Sequence, residues 1–231
     1  MQREHEGFFN LAGLTRAVGM IVAVQVTLIA MASITNGFKC IALRDLVREG
    51  GGSLEAAAAI YWGGQFELIL DLSQVAVFLV SAVLVLKWIH RANLGARSLG
   101  ALGMRYTPGW SVGWYFVPIA SLWKPYQAMC ELWKTSATSV GWIYQSVSPL
   151  VAWWWGLYLT MGLLNYGVMR LMLNATSIED FAFLCKLETG AGILDISLNL
   201  ITVILIARIF RMQNARAGLT MDREDPPASA S

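Results

Sequence analysis

Four long apolar segments constrain this chain more than any other feature of its sequence. They lie at about residues 17–35, 68–86, 150–172 and 190–207. Each approaches or reaches the roughly 20 apolar residues that a helix needs to cross a bilayer. Of the 231 residues, 56% are hydrophobic and 14% are charged, whereas soluble domains average roughly 45–50% and 25%. The sequence therefore predicts an all-α membrane protein with four transmembrane helices.

Basic residues predict the orientation of the four spans, because loops rich in lysine and arginine stay in the cytoplasm. They are Lys87, Arg91, Arg97 and Arg105 after the second span, and Arg208, Arg211 and Arg216 after the fourth. Both termini should therefore be cytoplasmic. The first apolar run is longer than that of a signal peptide, and Glu4 and Glu6 precede it, so it should be retained as an anchor.

The loops between the first and second spans and between the third and fourth should lie outside. In the first of them, FKCIALRDLVRE has helical apolar spacing, and Ser53 can cap SLEAAAAIYW, so two short helices on the outer surface are predicted. Cys40 and Cys185 both fall in outer loops, where a disulfide can form. A bridge and two free thiols both stay open at this point.

Two aspartates within the apolar segments are the candidate ion-handling residues. Asp71 lies in ILDLS at the start of the second span, and Asp195 lies in ILDIS at the start of the fourth. This match suggests two helical hairpins repeated in the same orientation. A carboxylate within a span is costly and suggests a function. The alternative is structural, since the N-terminal end of a helix stabilises an anion.

Residues 109–136 are as apolar as a span, yet Pro118 and Pro125 interrupt them. The part up to residue 123 is short for a crossing, and a fifth span would move the basic C-terminal segment outside. The sequence therefore predicts a re-entrant or interfacial segment on the cytoplasmic side, continued by an amphipathic helix. The predicted apolar face of that helix is Leu122, Tyr126, Met129 and Trp133, and the polar face is Lys124, Gln127, Glu131 and Lys134.

The same segment is rich in tryptophan, which prefers the interface between membrane and water. These tryptophans form either an aromatic belt or a recognition surface built on one. The candidate interaction surface consists of Trp110, Trp114, Pro118, Trp123, Pro125, Tyr126, Glu131 and Trp133. Such a surface would bind membrane lipids, a membrane-protein partner or a second copy of the chain.

Residues 108–133 also carry a resemblance to a known family. Pro-Gly-Trp at 108–110, the run PIASLWKPY at 118–126, and Glu131 with Trp133 resemble the signature of a bacterial membrane-protein family called domain of unknown function 4328. The resemblance extends over about residues 10–216. It implies the plasma (inner) membrane of a bacterium and supplies no activity. Where the family usually has Asn this chain has Ser121, and Ala92 replaces the Arg of an Arg-Asn pair.

No catalytic constellation accompanies these features. The run GWSVG at 109–113 matches a hydrolase motif, but no strand precedes it and no histidine is placed to serve Ser111. No metal or cofactor motif is present, and a net charge of +2 is too small to suggest a nucleic-acid partner. A lipid-modifying enzyme is therefore the least favoured class.

The leading interpretation is a non-enzymatic interaction or accessory module whose Trp-rich cytoplasmic face binds lipid or a partner protein. The alternative is a small ion or solute transporter or channel that uses Asp71 and Asp195. Residues 1–216 should form a single membrane domain, and residues 217–231 a disordered cytoplasmic tail.

Overall fold

A computed structural model describes residues 2–49 and 52–224, and the side chains of residues 11–49 and 52–218. Helices are the only regular secondary structure in these ranges, so the predicted all-α class is confirmed. The α-helices are α1 (Gln2–Glu49), α2 (Leu54–Trp62), α3 (Gln65–Ser98), α4 (Pro108–Gly113), α5 (Lys124–Ala137), α6 (Pro149–Met172) and α7 (Ile178–Glu224). Short 3-10 turns lie at Trp114–Phe116, Ala120–Leu122 and Trp142–Tyr144.

Among the described residues, three helices are long and apolar enough to cross a membrane. The segments are Leu11–Glu49 in α1, Gln65–Ser98 in α3 and Ile178–Gly218 in α7, and they contain the first, second and fourth predicted spans. The third predicted span coincides with the 24 residues of α6. It is not among the three, because its tryptophans, its tyrosines and Asn165 make it less apolar than the others.

Two long helices extend past the apolar segments from which they were predicted. The first of the two predicted outer helices is wrong as a separate element, because α1 continues through it to Glu49. The second is α2, and the Ser53 hydroxyl caps it by accepting the N–H of Ala56 at 3.0 Å. At its start, α7 is capped by Asp180, whose carboxylate accepts the N–H groups of Thr176 and Ser177. Its end at Glu224 enters the predicted tail, whose residues 225–231 lie outside the described ranges.

The chain divides into two compact units. The first unit comprises Met1–Gly19, Ala82–Trp153 and Thr202–Ser231, and the second comprises Met20–Ser81 and Trp154–Ile201. The buried side chains of the first unit include Trp88, Asn93, Leu132, Ile209 and Gln213. Those of the second include Leu43, Ala57, Tyr61, Phe181, Leu184 and Cys185, which pack into one cluster. The single membrane domain over residues 1–216 stays a prediction.

The proline-interrupted segment folds into short helices within the first unit. The hydroxyl of Thr107 accepts the N–H of Trp110, and Pro108 occupies the first turn of α4. Two 3-10 turns follow, and α5 has 14 residues. None of these elements reaches the roughly 20 residues of a crossing helix, which agrees with the prediction that residues 109–123 are not a simple span.

Candidate functional site

The second unit contains an open cavity of about 410 Å³, a volume in the range of small-molecule sites. Five helices supply its walls: α1, α2, α3, α6 and α7. The polar lining residues are Ser33, Thr35, Asn36, Lys39, Tyr61, Glu67, Asp71, Gln74, Asn165, Glu188 and Asp195. A cavity this polar between apolar helices is the main candidate for a functional site.

Both aspartates that the sequence singled out line this one cavity. Asp71 comes from α3 and Asp195 from α7, each near the start of the apolar part of its helix. Each was predicted as an ion-handling residue from its own apolar segment, and nothing in the sequence indicates that the two lie together. The structure therefore unites two separate predictions in a single site.

The cavity has an excess of negative groups. Four carboxylates line it, from Glu67, Asp71, Glu188 and Asp195, together with one ammonium group, from Lys39. Among the described residues, the ion pair with a nitrogen-to-oxygen distance within 4.0 Å is the one between Arg44 and Asp45. The Lys39 ammonium group therefore forms no direct ion pair with the four carboxylates. Its Nζ instead donates to the main-chain oxygen of Tyr61 at 3.1 Å. When the carboxylates are ionised, the cavity favours a positively charged occupant, and the apolar surroundings strengthen that preference.

Tyr61 connects α2 to the acidic wall of the cavity. Its hydroxyl donates a hydrogen bond to Oε1 of Glu188, and its ring lies 5.2 Å from that of Phe181 and 5.7 Å from that of Trp62. Burial, followed by the neighbouring Glu188, raises the pKa of the Tyr61 hydroxyl above its usual range. The hydroxyl therefore stays protonated at neutral pH and holds the Glu188 carboxylate in place.

Two other carboxylates are held by donors on their own helices or next to them. Nδ2 of Asn199 donates to Oδ1 of Asp195 at 3.0 Å, and the N–H of Gly64 donates to Oε2 of Glu67 at 2.9 Å. These bonds fix the direction of each carboxylate group. Three of the four carboxylates, those of Glu67, Glu188 and Asp195, are thus oriented before any ligand arrives, which lowers the cost of binding.

A disulfide between Cys40 and Cys185 joins α1 to α7 in the second unit, with 5.6 Å between the Cα atoms. Of the two alternatives that the sequence left open, the bridge is the one present. Beside it, Nδ2 of Asn36 donates to the main-chain oxygen of Cys185 and to the hydroxyl of Thr189, both at 2.9 Å. Cys185 is fully buried within the apolar cluster of the second unit, so the bridge lies in well-packed surroundings.

Sequence reasoning missed Lys39, Tyr61 and Glu188 as members of the site. They fall in segments predicted as outer loops, whose charges were interpreted only as a guide to orientation. One of them could have been found from sequence spacing, because α7 continues through the segment that was predicted as an outer loop. Glu188 and Asp195 are seven positions apart in the sequence, which places both on one face of a continuous helix.

The predicted interaction surface in the first unit is smaller than the sequence indicated. Trp110, Pro118 and Trp123 are exposed, and Trp114 and Tyr126 are half-buried. Pro125, Glu131 and Trp133 are buried inside the unit, so their placement on an exposed surface is wrong. The reason is that the buried side of α5 is wider than its predicted apolar face: the buried residues also include Ala128, Met129, Leu132, Thr135 and Ser136.

Glu131 organises the loop that precedes α4 instead of facing solvent. Its Oε1 accepts the N–H of Tyr106 at 3.2 Å, and the main-chain N–H of Arg105 is a further donor. Burial raises the pKa of Glu131, while these donors and the guanidinium of Arg97 act in the opposite direction. Arg97 itself donates to Oδ1 of Asn93 and to the main-chain oxygen of Tyr106. This network supports a structural role for Glu131 and Asn93.

A strained turn projects from the same unit. Ile119 has φ +66, a value that is rare for a β-branched residue. The N–H of Ala120 donates to the main-chain oxygen of Pro118 at 2.7 Å, which closes a γ-turn of the rare, strained kind. The Ile119 side chain is 71% exposed. No sequence signal pointed to this conformation.

Ser111, the serine of the hydrolase-like run, is buried in α4. Its hydroxyl donates to the main-chain oxygen of Pro108 at 2.7 Å, as helix-start serines commonly do. This bond gives Ser111 a local structural role.

The long apolar helices and the family match together define a membrane protein of unproven activity. The family described as Domain of unknown function (DUF4328) matches residues 52–211, which is more than half of the chain. This protein belongs to that family, and the resemblance noted in its sequence is confirmed. No curated protein and no solved structure matches the chain.

Proposed function

We propose that this protein is a small membrane transporter that binds a cation or a cationic solute in the cavity of the second unit. One observation carries the proposal: Asp71 and Asp195, from two similar sequence segments, line the same cavity. Glu67 and Glu188 add to its negative charge, and Lys39 is the cationic residue that lines it. Ionisable side chains within membrane helices generally mark ion or solute pathways.

Electrostatics explains why such a cavity would bind a cation. Four carboxylates with one ammonium group are costly in surroundings of low dielectric constant unless a counter-charge neutralises them. A cation that enters the cavity supplies that charge. The ILDLS and ILDIS segments fit the internal repeats on which many transporters are built. Binding and release at such a site need no catalytic residue, so the proposed function is non-enzymatic.

We also propose the topology that such a transporter needs. It has four spans, with α6 as the third, and residues 109–136 form a re-entrant or interfacial element on the cytoplasmic side. Both termini face the cytoplasm of a bacterium, whose inner membrane holds the protein. The Cys40–Cys185 bridge supports this arrangement, because disulfides persist on the oxidising side of that membrane.

Single-cysteine labelling on a cysteine-free background tests the topology. Cysteines at Ser53 and Thr176 should react with an impermeant reagent from outside. Cysteines at Ser98 and Ser139 should react only after the cells are opened. External labelling at Ser139 would mean that residues 109–123 cross the membrane.

The transport proposal is tested with purified protein and with proteoliposomes, using sodium, magnesium and 1,4-diaminobutane as probes. We expect at least one probe to bind and to move down its gradient. Asp71→Asn and Asp195→Asn should each weaken binding by about 10-fold or more, because each removes a charge and keeps the shape. The double variant should not lose twice as much, since residues that act together are not additive. Glu55→Gln is the matched control, because Glu55 is exposed on α2 and does not line the cavity.

Absence of binding by all three probes, or equal binding by the Asn variants and the parent, would contradict the proposal. Correct insertion of each variant is checked by its elution as one species in mild detergent. A variant that elutes normally and yet binds less shows that the carboxylate acts on the ligand.

A second function is favoured by a different observation, the exposed apolar surface of the first unit. Around the strained turn at Ile119, the large exposed side chains are Trp110, Phe116, Ile119, Leu122 and Trp123. An accessory module that docks lipid or a partner membrane protein would use such a surface. Native mass spectrometry should show fewer retained lipids or partners for Trp123→Ala than for Val140→Ala, which alters an exposed residue of the same unit. Equal retention would count against this second function.

A further inference from the structure

We infer that the Cys40–Cys185 disulfide regulates the cavity, so that cation affinity depends on whether the pair is oxidised or reduced. This inference rests on the proposed function of the cavity. It extends that proposal from what the site binds to what controls the site.

The two cysteines of the bridge are close, along their helices, to two charged residues of the cavity wall. Lys39 precedes Cys40 in α1, and Glu188 lies one helical turn after Cys185 in α7. Both line the cavity, as does Asn36, one turn before Cys40. The covalent bond therefore fixes the separation of the two helices at the level where one presents its ammonium group and the other its carboxylate.

Hydrogen bonds and the packed apolar cluster of the second unit also hold these charged groups in place. Asn36 donates to the main-chain oxygen of Cys185 and to Thr189, and Lys39 and Glu188 are both tied to Tyr61. Each of these hydrogen bonds is weak beside a covalent bond. The disulfide, which closes a separation of 145 residues, is the strongest single constraint between α1 and α7 at this level.

Reduction would change the geometry because two thiols cannot remain at bonding distance. Cys185 is fully buried among Leu43, Ala57 and Phe181, and a close-packed interior leaves little free space for its sulfur to move. The sulfurs therefore separate on the side of Cys40, which is half-buried, and α1 and α7 are then no longer held at a fixed distance. Lys39 and Glu188 would shift with their helices, and the distance between these two charged groups of the cavity wall would change.

The redox step is an exchange with a dithiol. The thiolate of the reductant attacks a sulfur of the bridge, and a mixed disulfide forms while the other cysteine leaves as a thiolate. The second thiol of the reductant then resolves the mixed disulfide. In sum, two electrons and two protons pass to Cys40 and Cys185, and the reductant becomes a disulfide. Attack falls on the Cys40 sulfur, because Cys40 is half-buried whereas Cys185 is fully buried.

The test compares binding of sodium, magnesium and 1,4-diaminobutane to oxidised and dithiothreitol-reduced protein by calorimetry. A Cys130→Ser background removes the free thiol. We expect reduction to weaken binding by about 10-fold, within the usual range of coupling between two sites, and reoxidation to restore it. The Cys40→Ser, Cys185→Ser double variant should match the reduced protein and should not respond to dithiothreitol.

Hydrogen exchange supplies a second measurement that does not depend on the ligand. Reduction should speed exchange in residues 33–39 and 186–192, and should leave residues 124–137 of the first unit unchanged. Equal affinity in the two redox states, or unchanged exchange at the cavity wall, would overturn this inference alone. Absence of probe binding in both states would overturn the proposed function together with this inference.

Discussion

The hydroxyl of Tyr61 donates a hydrogen bond to Glu188, which is 127 positions away in the sequence. This contact joins the short helix α2 to the long helix α7 and fixes one carboxylate of the cavity. The aromatic ring of Tyr61 is buried while its hydroxyl forms a hydrogen bond, which is a common role for tyrosine at partly buried sites.

Tyr61→Phe should lower the stability of the second unit. The ring and its packing remain, but Glu188 loses its donor, which should cost about 1–3 kcal/mol. Chemical unfolding in mild detergent measures the loss. Tyr144→Phe is the matched control, because Tyr144 is 93% exposed, and its removal should change stability by less than about 0.5 kcal/mol. Equal effects of the two substitutions would mean that the Tyr61 bond contributes nothing.

Gly192→Ala should destabilise the contact between α7 and α1. A methyl group at this position would lie 2.7 Å from Oγ of Ser33, which is too close for van der Waals contact. Overpacking of this kind costs about 1–3 kcal/mol. Ser33→Ala in the same chain should restore most of the loss, since the Cβ of Ser33 is 3.9 Å away.

Gly190→Ala is the control for this substitution, because nothing lies within 4 Å of the added methyl group. It should be neutral or stabilising, as alanine favours a helix over glycine by about 1 kcal/mol. If Gly190→Ala destabilises the protein as much as Gly192→Ala does, the close contact with Ser33 does not cause the loss of stability at residue 192.

Ile119→Gly should relieve strain in the γ-turn. At φ +66, an isoleucine pays about 1–2 kcal/mol that glycine does not, whereas glycine costs about 0.5–1 kcal/mol through the entropy of the unfolded chain. Ile143→Gly carries the same entropic cost but relieves no strained φ, and Ile143 is also exposed. Thermal unfolding should therefore find Ile119→Gly more stable than Ile143→Gly by about 1–2 kcal/mol. The opposite order would mean that the turn is not strained.

Glu131 should give the first unit a pH dependence of known sign. Burial raises its pKa above the ordinary value of 4.5, so the folded state holds a proton that the unfolded state releases. Stability should therefore fall as pH rises from about 4.5 through the pKa of the folded state. Glu131→Gln should remove this part of the decline, and unfolding measured between pH 4 and 7 will show a smaller slope. A slope equal to that of the parent would mean that Glu131 does not titrate in this range.

The sequence predicted the helical class and several elements well, for identifiable physical reasons. Apolar length is a strong signal, so α3, α6 and α7 lie where their apolar segments indicated. A carboxylate inside such a segment is conspicuous, which is why Asp71 and Asp195 were found. Their meeting in one cavity depends on how helices pack, and a single sequence does not contain that information in readable form.

Errors arose where local pattern and tertiary packing disagreed. The period of α5 indicated one apolar and one polar face, and Glu131 fell on the polar one. Glu131 is buried because its carboxylate accepts the main-chain N–H groups of residues 105 and 106. These N–H groups lie in a loop, and no residue type in the sequence marks where they will be. The last quarter of α1, beyond residue 37, was assigned to a separate helix for a similar reason: charged residues suggested a loop, but no proline stops the helix before Glu49.

The bridge between Cys40 and Cys185 can form only late in the synthesis of the chain. Cys40 leaves the ribosome 145 residues before Cys185, and at about 5–20 residues per second it waits on the order of 10 s without its partner. In that interval α3 and α6 are synthesised, and α7 must begin before the second thiol exists. The native bond can therefore form only after the start of the last long helix has met the first, so its presence in isolated protein marks a chain in which α1 and α7 have paired.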